Sequence, residues 1–352
     1  VTLPRHLRWI VGSRVLASLL VLLSILQILD LLDVTTDILE RKLGMGGVLY
    51  YAVLRLPTLI QQVAPLSVLA GCLFAFTELA RQNAVVALRS TGISTYQLLR
   101  MMAPAALAIA LLHIGSVQWL TPRADQALDA WWSRTTPRAS QTPQGPRSFR
   151  VGEDIVTATM GAPSGRRLTA VKIYRRDSTG RLVERLRADT ATYQDDGWRL
   201  AAPSFETFGP GGVQRGAAQE IVWRPGPQPQ DVRAIFTGEQ SLAPGSARRA
   251  LRGGVSAKPP AFYETAVQRA WSAPLAALVM LLLAGPVLLV NFRTGGARSV
   301  MLCLGAGLLF LVVDGVFTAL GESGTVPALL AAWAAPAIFA ALGGSALLYQ
   351  EG

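Results

Sequence analysis

The apolar runs of this chain stop once, between about Ser133 and Lys258, where roughly 125 residues of basic, turn-rich sequence intervene. A hydrocarbon layer about 30 Å thick takes roughly 20 helical residues to cross. Six segments reach that length: Trp9 to Asp33, Val48 to Thr77, Leu98 to Leu120, Phe262 to Val290, Val300 to Leu320 and Val326 to Tyr349. Three therefore precede the insert and three follow it. With 51% of 352 residues hydrophobic and 16% charged, the composition lies outside the ordinary soluble range. The first run is too long for a signal peptide and ends in Asp30-Leu31-Leu32-Asp33 with no small-residue cleavage site, so it reads as a retained helix. The sequence predicts a polytopic α-helical membrane protein of six transmembrane helices with an all-β domain inserted after the third.

Arginine placement orients the spans. Arg5, Arg8 and Arg14 flank the first, Arg81, Arg89 and Arg100 separate the second from the third, and Arg293 and Arg298 separate the fourth from the fifth. The positive-inside rule puts these regions in the cytoplasm, so both termini are predicted inside and the insert outside. Residues 121 to 260 hold 21 of the 33 basic and 13 of the 22 acidic residues, giving +8 of the +11 total. Such a module could steer an anionic ligand or lipid headgroup toward the membrane face, or its arginines could simply be solvated on a polar sheet face. Nucleic acid is not an expected partner on that side. Cys72 and Cys303 fall inside spans, so no disulfide is expected in the insert.

Within the insert, Arg150 to Met160, Leu168 to Arg176, Leu182 to Tyr193, Trp198 to Phe208 and Val213 to Trp223 read as antiparallel strands. Gly-Ala-Pro-Ser-Gly, Asp-Ser-Thr-Gly, Asp-Asp-Gly and Gly-Pro-Gly-Gly supply the turns between them. Alternation in Ala170-Val171-Lys172-Ile173-Tyr174-Arg175 gives one apolar face, as a sandwich or an open jelly roll requires. Thr135 to Pro146 and Arg224 to Lys258, biased toward Pro, Gly and small or polar residues, read as linkers or loops. The domains are thus predicted as 1–132, 133–260 and 261–352.

Enzymatic motifs are missing. Lys42, Lys172 and Lys258 are followed by Leu, Ile and Pro rather than by the Ser or Thr of a phosphate-binding loop, no Gly-x-Ser-x-Gly elbow occurs, and His6 and His113 stand at no zinc-ligand spacing. No catalytic residue, metal or cofactor is expected. Ionisable side chains inside spans are costly unless paired or wet. Asp30 and Asp33, three apart on one helix face, Arg55 and Asp314 all fall toward the outer ends of their spans. They read either as a polar gate or pocket, with Arg55 meeting substrate, or as interfacial side chains with one structural Arg–Asp pair. Pro57, Pro65, Gln61 and Gln62 predict a kinked, partly hydrated second span. Arg41 and Lys42 follow the first span and either meet lipid phosphates or form an ordinary exposed pair. On the cytoplasmic side, Glu78 to Gly92 reads as an amphipathic helix with Leu79, Val86 and Leu88 apolar and Gly92 as its C-cap; it suits a groove in a soluble partner as well as a membrane surface.

Four stretches carry a resemblance: Arg81-Gln82-Asn83-Ala84-Val85-Val86-Ala87-Leu88-Arg89-Ser90-Thr91-Gly92, Ala64-Pro65-Leu66-Ser67-Val68-Leu69, Thr121-Pro122-Arg123-Ala124-Asp125 and Asp196-Gly197-Trp198-Arg199-Leu200. Together, and in that architecture along essentially the whole chain, they resemble the lipopolysaccharide export permeases LptF and LptG, with Leu-Asp-Leu-Leu-Asp in the first span and the proline-rich final span more similar to LptG. The resemblance implies an inner-membrane permease half with a periplasmic jelly-roll-like domain. It would pair with a sister, LptF-like subunit, receive a cytosolic ATPase dimer, and pass lipopolysaccharide from the outer leaflet to periplasmic bridge proteins of jelly-roll fold. It also implies a coupling helix at about Arg81 to Gly92, including Asn83, Ala84, Val86, Leu88 and Arg89, and phosphate contacts from Arg41 and Lys42. The family's usual acidic coupling residue is replaced by Ala84, and Glu78 is too far upstream to align with it. A different class, a non-transporting scaffold or receptor whose β domain binds an envelope partner, predicts normal lipid export after depletion. A proton-coupled carrier would need paired repeats and midplane carboxylates, and neither is seen.

Overall fold

The computed structural model describes residues 3–82, 84–90, 92, 94–135, 145–162, 164–177, 179–209, 212–224, 226–237, 244–289 and 296–351. Two compact units emerge: 1–128 with 265–352, and 129–264.

The first unit is helical. Six described helices or helix chains are long and apolar enough to cross a membrane. Helix α1 (Leu3–Glu40) turns at Arg41–Leu43 into α2 (Gly44–Arg81), after which come the short α3 (Ala84–Ser90), α4 (Thr95–Gly115) and α5 (Thr121–Thr135). Both α1 and α2 have 38 residues, about 57 Å of helix, so each overshoots a hydrocarbon layer. Sequence hydropathy stops the first span at Asp33 because Asp37 and Glu40 follow. The backbone continues because nothing between Asp33 and Glu40 is Pro or Gly, and Lys42 (φ 59°) and Gly44 (φ 59°) make the break.

Proline shapes the remaining spans. Pro57 and Pro65 lie within α2 and Pro104 within α4. A π-helical turn, Ser116–Leu120, separates α4 from α5 just before Pro122, whose missing N–H frees a carbonyl there. The fourth span runs as α8 (Pro260–Ser272), a 3₁₀ turn at Pro274, α9 (Ala276–Ala284) and a 3₁₀ segment containing Pro286. The last two spans are α10 (Gly296–Glu322) and α11 (Ala328–Glu351). One apolar core joins Leu69, Phe76, Met102, Met280 and Phe310, all at most 1% exposed.

Among the described residues the second unit holds a nine-stranded, wholly antiparallel sheet: β1 (Arg147–Val151), β2 (Asp154–Met160), β3 (Arg167–Arg176), β4 (Leu182–Gln194), β5 (Gly197–Ala201), β6 (Ser204–Gly209), β7 (Gly212–Ala217), β8 (Glu220–Trp223) and β9 (Val255–Ser256). Strand order is β7-β6-β4-β3-β2-β1-β9. The long β4 pairs β6 along Glu184–Arg187 and β5 along Thr190–Gln194, and β5 carries β8. Side chains from both arms enter one core, so the sheet rolls around it, and all strands among the described residues belong to this one sheet. Trp198 and Trp223 face each other across β5 and β8, 0% and 2% exposed, and the Trp198 indole donates to the Pro227 carbonyl at 2.7 Å.

Three runs expected as single strands are each two. Gly152 (φ 61°) folds Arg150 to Met160 into the β1–β2 hairpin. Ala202 (φ 45°) with Pro203 cuts Trp198 to Phe208, and Ala218–Gln219 cuts Val213 to Trp223. The turn at Asp195 and Asp196 (φ 47° and 57°) has the positive angles of a type I′ hairpin. Alternation in β3 is broken as well: Ala170 (φ 51°) sits at a bulge, so Leu168, Val171 and Ile173 point into the core and Lys172 out.

The expected linker Arg224 to Lys258 instead contains α6 (Pro229–Thr237), α7 (Pro244–Leu251) and β9. Val232, Ile235 and Phe236 of α6 are buried to 0%, 2% and 0% in the sheet's core, and Arg147 donates to the Ile235 carbonyl at 2.7 Å. Low complexity concealed the 232/235/236 spacing of an amphipathic helix. Phe236→Ala is expected to cost about 3–5 kcal/mol, seen as a lower urea midpoint for the fluorescence of Trp198 and Trp223 in the purified protein. A loss below about 1 kcal/mol would remove α6 from the core.

Candidate functional site

Among the described residues, two ion pairs at 2.8 Å join polar side chains of the spans. Arg55 of α2 grips Asp30 of α1 in a fork, Nη2 to Oδ1 at 2.8 Å and Nε to Oδ2 at 3.3 Å. The Tyr51 side chain, 6% exposed and one turn before Arg55, interacts with both partners. In the second pair, Arg269 of α8 reaches Asp314 of α10 at 2.8 Å and also donates to the Thr318 hydroxyl. Thr318 returns its proton to the Asp314 carbonyl at 2.6 Å. An arginine in hydrocarbon is tolerated when its donors are met by a carboxylate and hydroxyls.

The expected quartet is therefore divided. Asp30 and Arg55 meet; Asp314 takes a partner the sequence reading passed over; Asp33 is exposed, and no ion pair to it is found among the described residues. Asp30 lies ten residues before the end of α1, which continues to Glu40. Arg269 carried a signal: Thr265, Gln268, Arg269 and Ser272 recur at helical spacing in the first half of the fourth span, and an arginine there demands an acid. Thr265 and Ser272 are buried to 0% and 1%, and their hydroxyls have no hydrogen-bond partner among the described residues. Gln268 accepts from the Trp333 indole at 3.3 Å. His113 of α4, 9% exposed, lies within electrostatic reach of Arg269.

Gln61 does bring polarity into α2. Its amide donates to Ser116 at 3.1 Å and to Thr121, the hydroxyls that bracket the π turn. Lys42 is exposed and Arg41 half-buried in the α1–α2 turn.

The helix expected over 78–92 is shorter. Residues through Arg81 complete α2, and α3 has seven residues. Val85 is 3% exposed, and Ala84 and Leu88 pack partly buried on the membrane core, so these apolar side chains face inward. Arg81, Ala87 and Ser90 are exposed, and Gly92 (φ 86°) has the left-handed angle of a helix stop. Asn83 and the side chains of Val86 and Arg89 lie outside the described residues. Glu78 is committed elsewhere, 3.9 Å from Arg14 and accepting from Gln82 at 2.7 Å.

In the β unit, many arginines are compensated across strands. Register sets Arg175 opposite Glu184, Arg185 opposite Glu206, and Glu206 opposite Arg215, and each couple is an ion pair. Hydrogen bonding from Arg185 holds the Glu206 acid below its ordinary range, whereas burial holds Asp154 above it although Arg175 is near. A cavity of about 300 Å³ between the β1–β2 turn, the end of α7 and the start of α8 is lined by Arg150, Glu153, Ser256, Tyr263 and Glu264. Among the described residues no cluster of three or more His, Cys, Asp or Glu could hold a metal ion.

Breaking one partner of an intramembrane pair strands a charge, whereas removing both does not. Arg269→Leu is therefore expected to lower the melting temperature in detergent by more than Arg269→Leu/Asp314→Leu does. Equal losses would mean that the pair is solvated.

No curated protein sequence matches the chain. The family model for the lipopolysaccharide export system permease LptF/LptG matches residues 5–350, which spans both ion pairs, α3 and the whole β unit. The chain belongs to the LptF/LptG family of lipopolysaccharide export permeases.

Proposed function

We propose that this chain is the transmembrane half of an ATP-binding-cassette exporter that lifts lipopolysaccharide from the outer leaflet of the inner membrane and hands it to a periplasmic bridge. The observation that carries this reading is the family match over nearly the full length, joined to the very uneven burial of the spans. The most apolar stretch of α1 is 6% buried and that of α10 is 17%, against 61% in α2 and 72% in the fourth span. Two apolar helices thus remain uncovered in the single chain, as a sister permease and the acyl chains of a lipid between the two subunits would require.

Orientation follows from charge. With Arg5, Arg8 and Arg14 at the start of α1 and Arg81 at the end of α2, both termini and α3 face the cytoplasm and the β unit faces the periplasm. Residues 1–132 and 261–352 form the membrane part, and 133–260 receives lipid for the bridge. In this reading Arg41 and Lys42, at the periplasmic turn, meet lipid phosphates, and the two Arg–Asp pairs hold the walls of the cavity. ATP is bound and hydrolysed by a cytosolic ATPase dimer, and the permease itself is not an enzyme. Closure of that dimer pushes α3, and the movement is carried along α2.

With Ala84 in place of an acid and the apolar side of α3 turned inward, contact with the ATPase falls to its exposed face, around Ala87 and Ser90. Ala87→Glu is expected to reduce recovery of the ATPase with the tagged permease by roughly tenfold or more, with the permease itself still folded. Leu88→Asp would lower both recovery and stability, because it opens the packing of α3. Unchanged recovery with Ala87→Glu would remove α3 as the docking element, and full lipid export from cells depleted of the chain would favour the scaffold reading.

A further inference from the structure

Helix α1 is held at its two ends and loosely between. Leu7, Val11 and Val15 are buried to 2%, 1% and 2%, and Ile38 to 0%, but no residue of α1 from Leu16 to Asp37 is buried. Into that bare stretch α2 sends one strong polar contact, the Arg55–Asp30 fork with Tyr51 beside it.

A second contact fixes the same helix pair nearer the cytoplasmic side. A Cβ on Gly71 would stand 2.4 Å from the Val15 Cα, so only glycine lets the two backbones approach there. The steps from Val15 to Asp30 and from Arg55 to Gly71 are fifteen and sixteen residues, about 22–24 Å of helix, so both contacts belong to one antiparallel register. Between them α2 carries Pro57 and Pro65, each removing a backbone hydrogen bond, while α1 carries neither Pro nor Gly from Val15 to Asp30. A bendable helix is thus tied on both sides of its weak points to a stiff one.

We propose that Asp30 and Arg55 are positioning residues for transport: a latch that makes the poorly buried middle of α1 follow the part of α2 beyond the prolines when α2 bends. Movement entering at α3 passes directly into α2, since only Gln82 and Asn83 separate them. A bend at Pro57 or Pro65 displaces Arg55 relative to Gly71, and Asp30 is the one α1 side chain in the bare stretch with an ion pair to α2 among the described residues. With the latch intact, α1 swings with α2 and the wall it forms moves. With the latch gone, α2 bends alone. The inference rests on the exporter reading above.

The test uses the permease assembled with its sister subunit and ATPase in proteoliposomes, scored as lipopolysaccharide released per ATP hydrolysed. Asp30→Asn, which leaves Arg55 in place, is expected to lower that ratio about tenfold, and the exchanged pair Asp30→Arg/Arg55→Asp to recover it to within about threefold of the native protein. Asp30→Leu/Arg55→Met leaves no unpaired charge in hydrocarbon, so it assembles, and its ratio is expected to be as low as that of Asp30→Asn. A native ratio in Asp30→Asn or in the Leu/Met protein overturns the latch, as does an exchanged pair that assembles and stays as low as the single variant. No lipid release from the native assembly would instead overturn the exporter reading itself, and with it the latch.

Discussion

A guanidinium inside a hydrocarbon layer needs a carboxylate at hydrogen-bonding distance, and this requirement organises the membrane unit. Arg55 finds Asp30 and Arg269 finds Asp314, each at 2.8 Å. Each pair joins one of the two spans with the most buried apolar stretches, the second or the fourth, to one of the two that the single chain leaves most open, α1 or α10. Where packing is thin, the connection is electrostatic, and an electrostatic connection can be broken and remade without repacking a core.

Packing between the remaining spans is of the close-approach kind. Gly71 admits the α1 backbone, and a Cβ on Gly307 of α10 would stand 2.2 Å from Leu69 of α2. The fourth span is interrupted at Pro274 and Pro286 yet buried, which the rule for irregular backbone in membranes requires: freed carbonyls are tolerated inside the protein, not against lipid. The β unit has a different economy. Its core is closed by aromatic and aliphatic side chains from both arms of the sheet and from α6, with the two buried indoles at its centre and no disulfide among the described residues.

Much of this was legible in the sequence, for physical reasons that differ by element. Six spans announce themselves because a membrane demands length and hydropathy. The end of α1 does not, because a helix continues past its last apolar residue until Gly, Pro or a left-handed residue stops it, here at Lys42 and Gly44. In the β unit the Asp195-Asp196-Gly197 turn was readable from residue types that accept positive φ angles. The breaks at Gly152 and at Ala202 were not, since Ala202 owes its angle to the pairing around it. Helix α6 was hidden by its proline-rich flanks. Of the site, Asp30 and Arg55 could be named as ionisable residues in a span, but their pairing depends on the register that Gly71 sets. Arg269 was missed because it was not weighed against Asp314, and the inward turn of α3 depends on a tertiary contact that amphipathicity alone does not orient.

The proposed exporter requires α3 to be reached from the cytosol and the β unit from the periplasm. Cysteine placed at Arg187, an exposed position on β4, or at Ala87, exposed on α3, reads this out directly, because Cys72 and Cys303 are buried and give little background labelling. With a membrane-impermeant maleimide, the account predicts that position 187 is labelled in intact spheroplasts and position 87 only after the membrane is opened. Labelling of both positions under the same condition would contradict it.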